Sequence, residues 1–151
     1  MKYYNTFLAL KTDLDNQVLT LPKVVDHYLS AIDHNRDLNA FIEVFVDESQ
    51  INAQKIQQKI KSGKAGRLVG MVIGVKDNIC YHSHGVSASS KILKKYIYPY
   101  SVTVVERLLA EDAIITGRLN CDEFAIGASN ESSYYGPVRN AADCTQVSGG
   151  S

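Results

Sequence analysis

Residues 68–79, LVGMVIGVKDNI, join a nearly continuous apolar run to a lysine. The run is strongly β-prone and short, so it predicts a buried β-strand over residues 68–75. Lys76 is then expected at or just past the end of this strand, where α/β sheets commonly build their sites. Burial would favour the neutral amine, which is a base. Taken alone, however, the stretch favours a lysine whose stem packs while its ammonium group reaches water.

Apolar spacing predicts further helices and strands around this strand. Helices are expected at residues 3–14, from Thr20 to near His34, at 47–62, and from Thr103 to Asp112. Strands are expected at residues 38–46 and 113–119. This alternation predicts an α/β layer fold. The buried helix faces are expected to hold Val24, Val25, Tyr28, Leu29 and Ile32; Ile51, Ala53, Ile56 and Ile60; and Val104, Val105, Leu108 and Leu109.

The composition is that of an ordinary globular domain. The 151 residues are 45% hydrophobic, and 16 basic residues balance 16 acidic ones. The chain as a whole therefore lacks the positive charge that holds nucleic acids or acidic membranes. No apolar run is long enough to span a bilayer, and a signal peptide is not expected. Cys80, Cys121 and Cys144 are an odd number with no paired spacing, which predicts thiols in a reducing cytoplasm.

Residues 120–151, NCDEFAIGASNESSYYGPVRNAADCTQVSGGS, lack the periodicity of the preceding elements. Structured loops of this length are usually functional. The sequence finishes on Gly149, Gly150 and Ser151 without a helix or strand after them. We therefore expect residues 1–151 to be a fragment of a longer chain.

Four segments, in this order, resemble the amidase signature family. They are GVKDNI at 74–79, ASSKIL at 88–93, TVVERLLAEDAIITGRLNCDEFAIGASNESSYYGPVRNAAD at 103–143, and the terminal Gly149-Gly150-Ser151. The resemblance covers nearly the whole chain and is weakest before Leu21. It implies α/β/α layers around a mixed β-sheet that is incomplete at the C-terminal end. It also implies that residues 1–151 are the N-terminal part of a single amidase domain, truncated just at a Gly/Ser-rich signature. Three positions depart from residues that are usual in the family: Ala141, Gln146 and Ser148.

The resemblance implies a Ser-cisSer-Lys catalytic triad. By motif, Lys76 matches the catalytic lysine, and Ser151 matches the serine on the cis peptide bond. The nucleophilic serine and the glycine-rich oxyanion hole lie downstream in family members, so residues 1–151 alone are expected to be inactive. The chemistry agrees with the motif, because a neutral lysine can deprotonate a serine and a second serine can relay the proton.

Within the family, the likeness is strongest to the glutamine-hydrolysing subunits of tRNA-dependent amidotransferases. This likeness implies that ammonia released from glutamine passes to a partner subunit, which converts Glu-tRNA(Gln) to Gln-tRNA(Gln). It also implies a heterotrimer with subunits B and C, in which a partner subunit holds the tRNA. ATP and Mg²⁺ would be used by the holoenzyme, and no cofactor is expected to bind this chain.

Residues 122–133 are expected to line the substrate site, by resemblance to the family. Gly127, Ala128 and Ser129 are the candidates for backbone contacts with the substrate. The alternative is that Phe124 and Ile126 plug the core and the rest is an ordinary loop.

Two other groups of residues have less specific patterns. Cys80, His82 and His84 match no common zinc spacing, so a solvated loop is favoured and no metal site is expected. Tyr96, Tyr98 and Tyr100 alternate as on a strand and are expected to be partly buried surface residues, with a partner interface as the alternative.

Two other functions stay open. One is a stand-alone amidase-signature hydrolase that acts on a free amide and needs no partner subunits. The other is a non-catalytic, truncated binding protein, which would have to be folded and monodisperse. A mixed sheet that lacks later strands leaves an unpaired edge, so low stability is expected.

Overall fold

The computed structural model describes residues 4–151, which form four α-helices and three β-strands. The helices are α1 (Phe7–Asp15), α2 (Leu21–His34), α3 (Val46–Lys61) and α4 (Thr103–Ala110). The strands are β1 (Phe41–Val44), β2 (Val72–Lys76) and β3 (Ile114–Leu119), and short 3-10 helices cover Arg36–Leu38 and Glu123–Ala125. The predicted α/β alternation is confirmed, although Tyr3 of the first predicted helix lies outside the described residues.

The three strands form one sheet in the order β1-β3-β2. β1 pairs antiparallel with β3, with Phe41 opposite Leu119 and Val44 opposite Gly117. β3 is buried along nearly its whole length, as predicted, although its sequence includes Thr116 and Arg118. Among the described residues the mixed sheet is thus built on a buried central strand.

The predicted strand at 68–75 is wrong in extent and burial. Residues 67–70 form a turn, so β2 begins at Val72. Val75 is buried, but Val72 and Ile73 are partly exposed. The reason is that β2 lies at an edge of the three-stranded sheet, where a neighbouring strand covers one side of it and not the other.

The chain divides into two compact units, of which the first includes the described residues up to Asp33, Phe45–Ile73 and Glu106–Thr116. Most of the predicted stripe of α2 is buried, and Ala53 and Ile56 of α3 are buried as expected. Ile51 is 50% exposed instead, because at about 100° per residue it projects roughly opposite to Ala53. Two other residues of the predicted faces are also exposed, Tyr28 and Val104.

A glutamine takes a place in the buried face of α3. Gln57 is 8% exposed, and its Oε1 accepts a 2.7 Å hydrogen bond from the backbone N–H of Leu21. The bond satisfies one of the amide groups that a helix N-terminus leaves without a partner in its own helix. Gln57 therefore ties α3 to the first residue of α2.

The second unit includes His34–Val44, Gly74–Val105 and Gly117–Ser151. As predicted, residues 80–90 form a loop, which has one isolated bridge between Gly85 and Ile97. Tyr96 and Tyr100 lie at the surface and each makes an edge contact with Tyr98, in agreement with the prediction for these three residues. None of the helices within residues 4–151 has the length and apolar character needed to cross a membrane.

Candidate functional site

Lys76 is the last residue of β2, as predicted, and its side chain is partly buried. Its Nζ donates a 3.4 Å hydrogen bond to Oγ of Ser151, which is 75 residues later in the sequence. The peptide bond between Gly150 and Ser151 is cis. The structure therefore brings together the two residues that the family motif singles out, although it does not test their roles.

These two residues line an open cleft of about 610 Å³. Its other polar lining comes from Asn120, Asn130 and Ser148, together with the backbone at Gly149 and Gly150. Among the described residues that line the cleft, Lys76 is the one with a charged side chain. The cleft is therefore a polar space with a single amine and several groups that can form hydrogen bonds.

Asp77, which follows Lys76 directly, is fully buried and holds the end of β2 in place. Its carboxylate accepts hydrogen bonds from Nη1 of Arg118 at 2.6 Å, from the backbone N–H groups of Ser87 and Ser89, and from the Ser87 hydroxyl. Its own backbone N–H donates to Leu119 O at 3.0 Å. These bonds fix the backbone on the C-terminal side of Lys76.

Arg118 lies between two carboxylates. Its Nη2 is 3.3 Å from Oε2 of Glu43, and its Nη1 contacts Asp77. Burial alone would lower the pKa of the Arg118 guanidinium, but the hydrogen bond and charge of Asp77, with the charge of Glu43, raise it above its usual value. The guanidinium is therefore a fixed positive charge beneath the end of β2.

Asn120 comes directly after β3 and organises the floor of the cleft. Its Nδ2 donates to Asn39 O at 3.1 Å and to Gly136 O at 2.9 Å. Its Oδ1 accepts from the Ser133 hydroxyl at 2.6 Å and from the Ser89 hydroxyl at 3.3 Å. The amide of Asn120 is thus committed to joining loops rather than left free to bind a ligand.

Gly127, Ala128 and Ser129 are not among the described residues that line the cleft. Ala128 nevertheless adjoins the cleft wall, because a Cβ atom at Gly150 would lie 2.6 Å from its carbonyl carbon. Their predicted contacts with a substrate stay a prediction. The alternative that Phe124 and Ile126 plug the core is wrong, since both are exposed, Ile126 by 79%. Phe124 and Ala125 both have positive φ angles.

The loop that contains Cys80, His82 and His84 has other contacts for its polar groups. Cys80 is a buried free thiol, and Nδ1 of His84 lies 2.8 Å from His82 O. The His84 ring stacks on Tyr81 with 4.1 Å between ring centroids. Within residues 4–151 no group of three or more His, Cys, Asp or Glu side chains is placed to hold a metal ion.

Sequence reasoning did not predict that two aspartates of this region, Asp77 and Asp122, are buried. Each stands within three residues of the C-terminal end of a strand, Asp77 after β2 and Asp122 after β3. The carboxyl ends of neighbouring parallel strands meet at one edge of a sheet. A charged residue at the end of each strand could therefore have indicated that Asp77 and Asp122 belong to this edge of the sheet.

Comparisons with known proteins were consistent with each other. A family model described as Amidase matches residues 23–151. The A subunit of the glutamyl-tRNA(Gln) amidotransferase of Chlorobaculum tepidum is 47% identical over 149 residues, which are 98% of this chain and 31% of that protein. The corresponding A subunit of Methanothermobacter thermautotrophicus is 44% identical over 140 residues, 91% of this chain and 31% of that protein. The chain therefore spans about 31% of the length of the curated relatives it matches.

Solved structures match over the same part of the chain. A chain from a vestigial protein complex, related to the origins of an s-triazine catabolic enzyme, has a TM-score of 0.91 at 28% identity, covering 98% of this chain and 33% of that chain. A structure described as an amidase has a TM-score of 0.87 at 26% identity, covering 95% and 33%. The A subunit of the glutamyl-tRNA(Gln) amidotransferase of Thermotoga maritima has a TM-score of 0.66 at 29% identity, covering 87% and 26%.

Proposed function

The chain belongs to the amidase signature family, and on that premise we propose that it forms the N-terminal part of a glutamine-hydrolysing amidase domain. In this proposal Lys76 is the catalytic base and Ser151 is the serine that relays the proton. The observation that carries the proposal is the 3.4 Å contact between Lys76 Nζ and Ser151 Oγ inside a polar cleft. A lysine at the end of an edge strand, beside a serine that is distant in sequence, supplies the two groups that a proton relay needs.

The proposed reaction begins at a nucleophilic serine, which the family resemblance places further along the chain than Ser151. Ser151 Oγ accepts the proton of that serine and passes its own proton to the neutral amine of Lys76. The new alkoxide attacks the side-chain amide carbon of glutamine. When the tetrahedral intermediate collapses, the proton returns to the amide nitrogen and ammonia leaves. Water then hydrolyses the acyl-enzyme to glutamate and restores the serine.

The distance of 3.4 Å is long for a hydrogen bond to an amine. Catalytic hydrogen bonds are often long without a substrate and tighten when one is bound. Asp77 and Arg118 hold the backbone next to Lys76, so the adjustment falls on the Lys76 side chain and on the exposed Gly149–Ser151 segment.

The finer part of the proposal rests on the family resemblance, together with relatives that are A subunits of a glutamyl-tRNA(Gln) amidotransferase. The ammonia would pass to a partner subunit that amidates Glu-tRNA(Gln), within a heterotrimer with subunits B and C. ATP and Mg²⁺ would serve that second reaction and not the cleft described here. The zero formal charge of the chain fits a division of labour in which a partner subunit holds the tRNA.

A chimera tests the proposal directly. Residues 1–151 replace the matching region of the Chlorobaculum tepidum relative, and ammonia release from glutamine is measured. Lys76→Ala and Ser151→Ala are each expected to lower kcat by about 10²-fold to 10⁴-fold, the usual contribution of a positioned acid or base. Lys55→Ala, at an exposed lysine of α3, is the matched control and should leave kcat unchanged. Full activity of the Lys76→Ala chimera would contradict the proposal.

The second candidate is an amidase that acts on a free amide. It is favoured by the TM-score of 0.87 for the structure described as an amidase, against 0.66 for the Thermotoga maritima protein. Hydrolysis of simple amides by the chimera without its partner subunits would support this alternative. Strict dependence on glutamine and on subunits B and C would exclude it. In either case, ammonia release by residues 1–151 alone, above that of their Lys76→Ala variant, would contradict a nucleophile located downstream.

A further inference from the structure

We propose that Asp122 is a positioning residue that joins the candidate substrate loop, residues 127–132, to the peptide that carries Ser151. The catalytic meaning of this inference rests on the proposed function, whereas its contacts do not. Asp122 is 1% exposed and follows β3 by three residues. We assign Asp122 an indirect role: its carboxylate acts on Lys76 and Ser151 through the backbone that packs on either side of it.

On the loop side, Asp122 is held by hydrogen bonds. Its Oδ2 accepts from the backbone N–H of Asn130 at 3.0 Å. Its Oδ1 accepts from the Ser132 hydroxyl at 3.0 Å and from the Ser132 backbone N–H at 3.4 Å. Asn130 in turn accepts from the backbone N–H of Val138 at 2.6 Å and lines the cleft. The carboxylate therefore fixes the loop against the cleft wall.

Two glycines show how closely the backbone approaches this carboxylate. A Cβ atom at Gly127 would lie 2.3 Å from Cγ of Asp122 and within 2.6 Å of both carboxylate oxygens. A Cβ atom at Gly150 would lie 2.4 Å from Oδ2 of Asp122 and 2.6 Å from the carbonyl carbon of Ala128. No side chain fits at either position, so the carboxylate is enclosed between the loop and the residue before Ser151.

The charge of Asp122 suits this role. Burial alone would raise the pKa of its carboxyl, but the hydrogen bonds from Asn130 and Ser132 outweigh burial and hold that pKa below its ordinary value. An ionised carboxylate accepts several donors at once, whereas an amide or an acid must also donate. Positioning matters because a displacement of about 1 Å at a reacting group costs about 10²-fold in rate.

A double-mutant cycle in the 151-residue chain tests the contact between Asp122 and Gly127. All three of the closest atoms to a Cβ at Gly127 belong to Asp122, and Gly127 carries no left-handed φ. Gly127→Ala should therefore lower the Tm by about 4 °C or more in the wild-type background, as overpacking does. In an Asp122→Ala background the same substitution should lower the Tm by less than half as much. If the two substitutions change the Tm additively, Asp122 and Gly127 do not interact and the inferred contact is wrong.

A spectroscopic measurement tests the positioning. In a chain with ¹³C-labelled lysine, Ser151→Ala identifies the shift that the Lys76 Cε resonance undergoes when its partner is lost. Asp122→Asn is expected to move the resonance in the same direction by at least half that amount. Asp37→Asn, an exposed control with the same change of charge, should leave it in place. An unmoved Lys76 resonance in Asp122→Asn would overturn the inference.

The two readouts separate this inference from the proposed function. If Ser151→Ala leaves the Lys76 resonance unmoved, Lys76 and Ser151 do not interact and the proposed relay is wrong. The positioning role of Asp122 is then overturned as well. The proposed function can also fail alone. In that case the effects of Gly127→Ala and Asp122→Ala on Tm are not additive and Asp122→Asn moves the Lys76 resonance, but the Lys76→Ala chimera still releases ammonia. Asp122 would then position Ser151, and the proposed function would be wrong.

Discussion

Arg118 donates a 2.6 Å hydrogen bond from Nη1 to Oδ1 of Asp77, and this pair is buried, with side-chain exposures of 10% and 0%. Asp77 follows the candidate base Lys76, so the ion pair anchors the residue next to the proposed chemistry. The Asp77 carboxylate also accepts hydrogen bonds from Ser87 and Ser89. Among the described residues, none forms a hydrogen bond with Arg118 Nε, so the guanidinium depends on its two carboxylate contacts.

Asp77→Asn is expected to destabilise the fold by about 3 kcal/mol or more, because it leaves a buried guanidinium with one partly exposed carboxylate. Urea denaturation followed by circular dichroism measures the loss. The control is Glu111→Gln, which breaks the ion pair between Glu111 and Arg67, a residue that is 85% exposed. Its effect should be much smaller, since exposed pairs contribute little. Equal losses in the two variants would contradict a structural role for the buried pair.

Gln57→Leu is expected to lower the free energy of unfolding by about 1 to 2 kcal/mol, although leucine is the more apolar residue. The substitution removes the acceptor of the Leu21 N–H and leaves that donor buried without its partner. The matched control is Gln58→Leu, at the neighbouring exposed position of the same helix. If the two variants unfold at the same urea concentration, the bond between α2 and α3 contributes nothing.

The sequence predicted what depends on local periodicity. α2 and α3 were found because their apolar residues recur at the spacing of a helix face, and β3 because apolar residues cluster at its start. Gln57 could not be predicted as buried, since its environment depends on a backbone amide 36 residues away. The same holds for Asp77 and Asp122, whose partners come from several separate loops. The pairing of Lys76 with Ser151 was predicted by family resemblance and not by any pattern within the chain.

Asn39 joins the segment after Arg36–Leu38 to the distant loop at residues 135–137. It has a left-handed φ of 57°, and its Nδ2 lies 2.9 Å from Tyr135 O and 3.1 Å from Gly136 O. Asn39→Gly retains the backbone conformation but removes the side-chain bonds, so we expect a loss of about 1 kcal/mol. Asn39→Ala should lose about 1 kcal/mol more, because alanine resists a left-handed φ. Urea denaturation checks the order, and an alanine variant as stable as the glycine variant would contradict it.

Acid is expected to remove the contribution of Asp122 to stability. Burial alone would raise the pKa of the Asp122 carboxyl, yet the hydrogen bonds from Asn130 and Ser132 hold it below the value of about 3.9 that an unfolded aspartate has. A lowered native pKa contributes stability that is present above about pH 4 and is lost as the pH falls through the native pKa. Asp122→Asn should therefore be less stable than wild type at pH 7, and the difference should shrink as the pH falls below about 4.

Asp143 and Glu111 also have lowered pKa values, but their contributions cancel when the variant is compared with wild type at each pH. Urea denaturation across this pH range measures the difference, with Asp37→Asn as the control for the change of charge. A difference that stays constant down to about pH 2 would show that the charge of Asp122 does not support the loop.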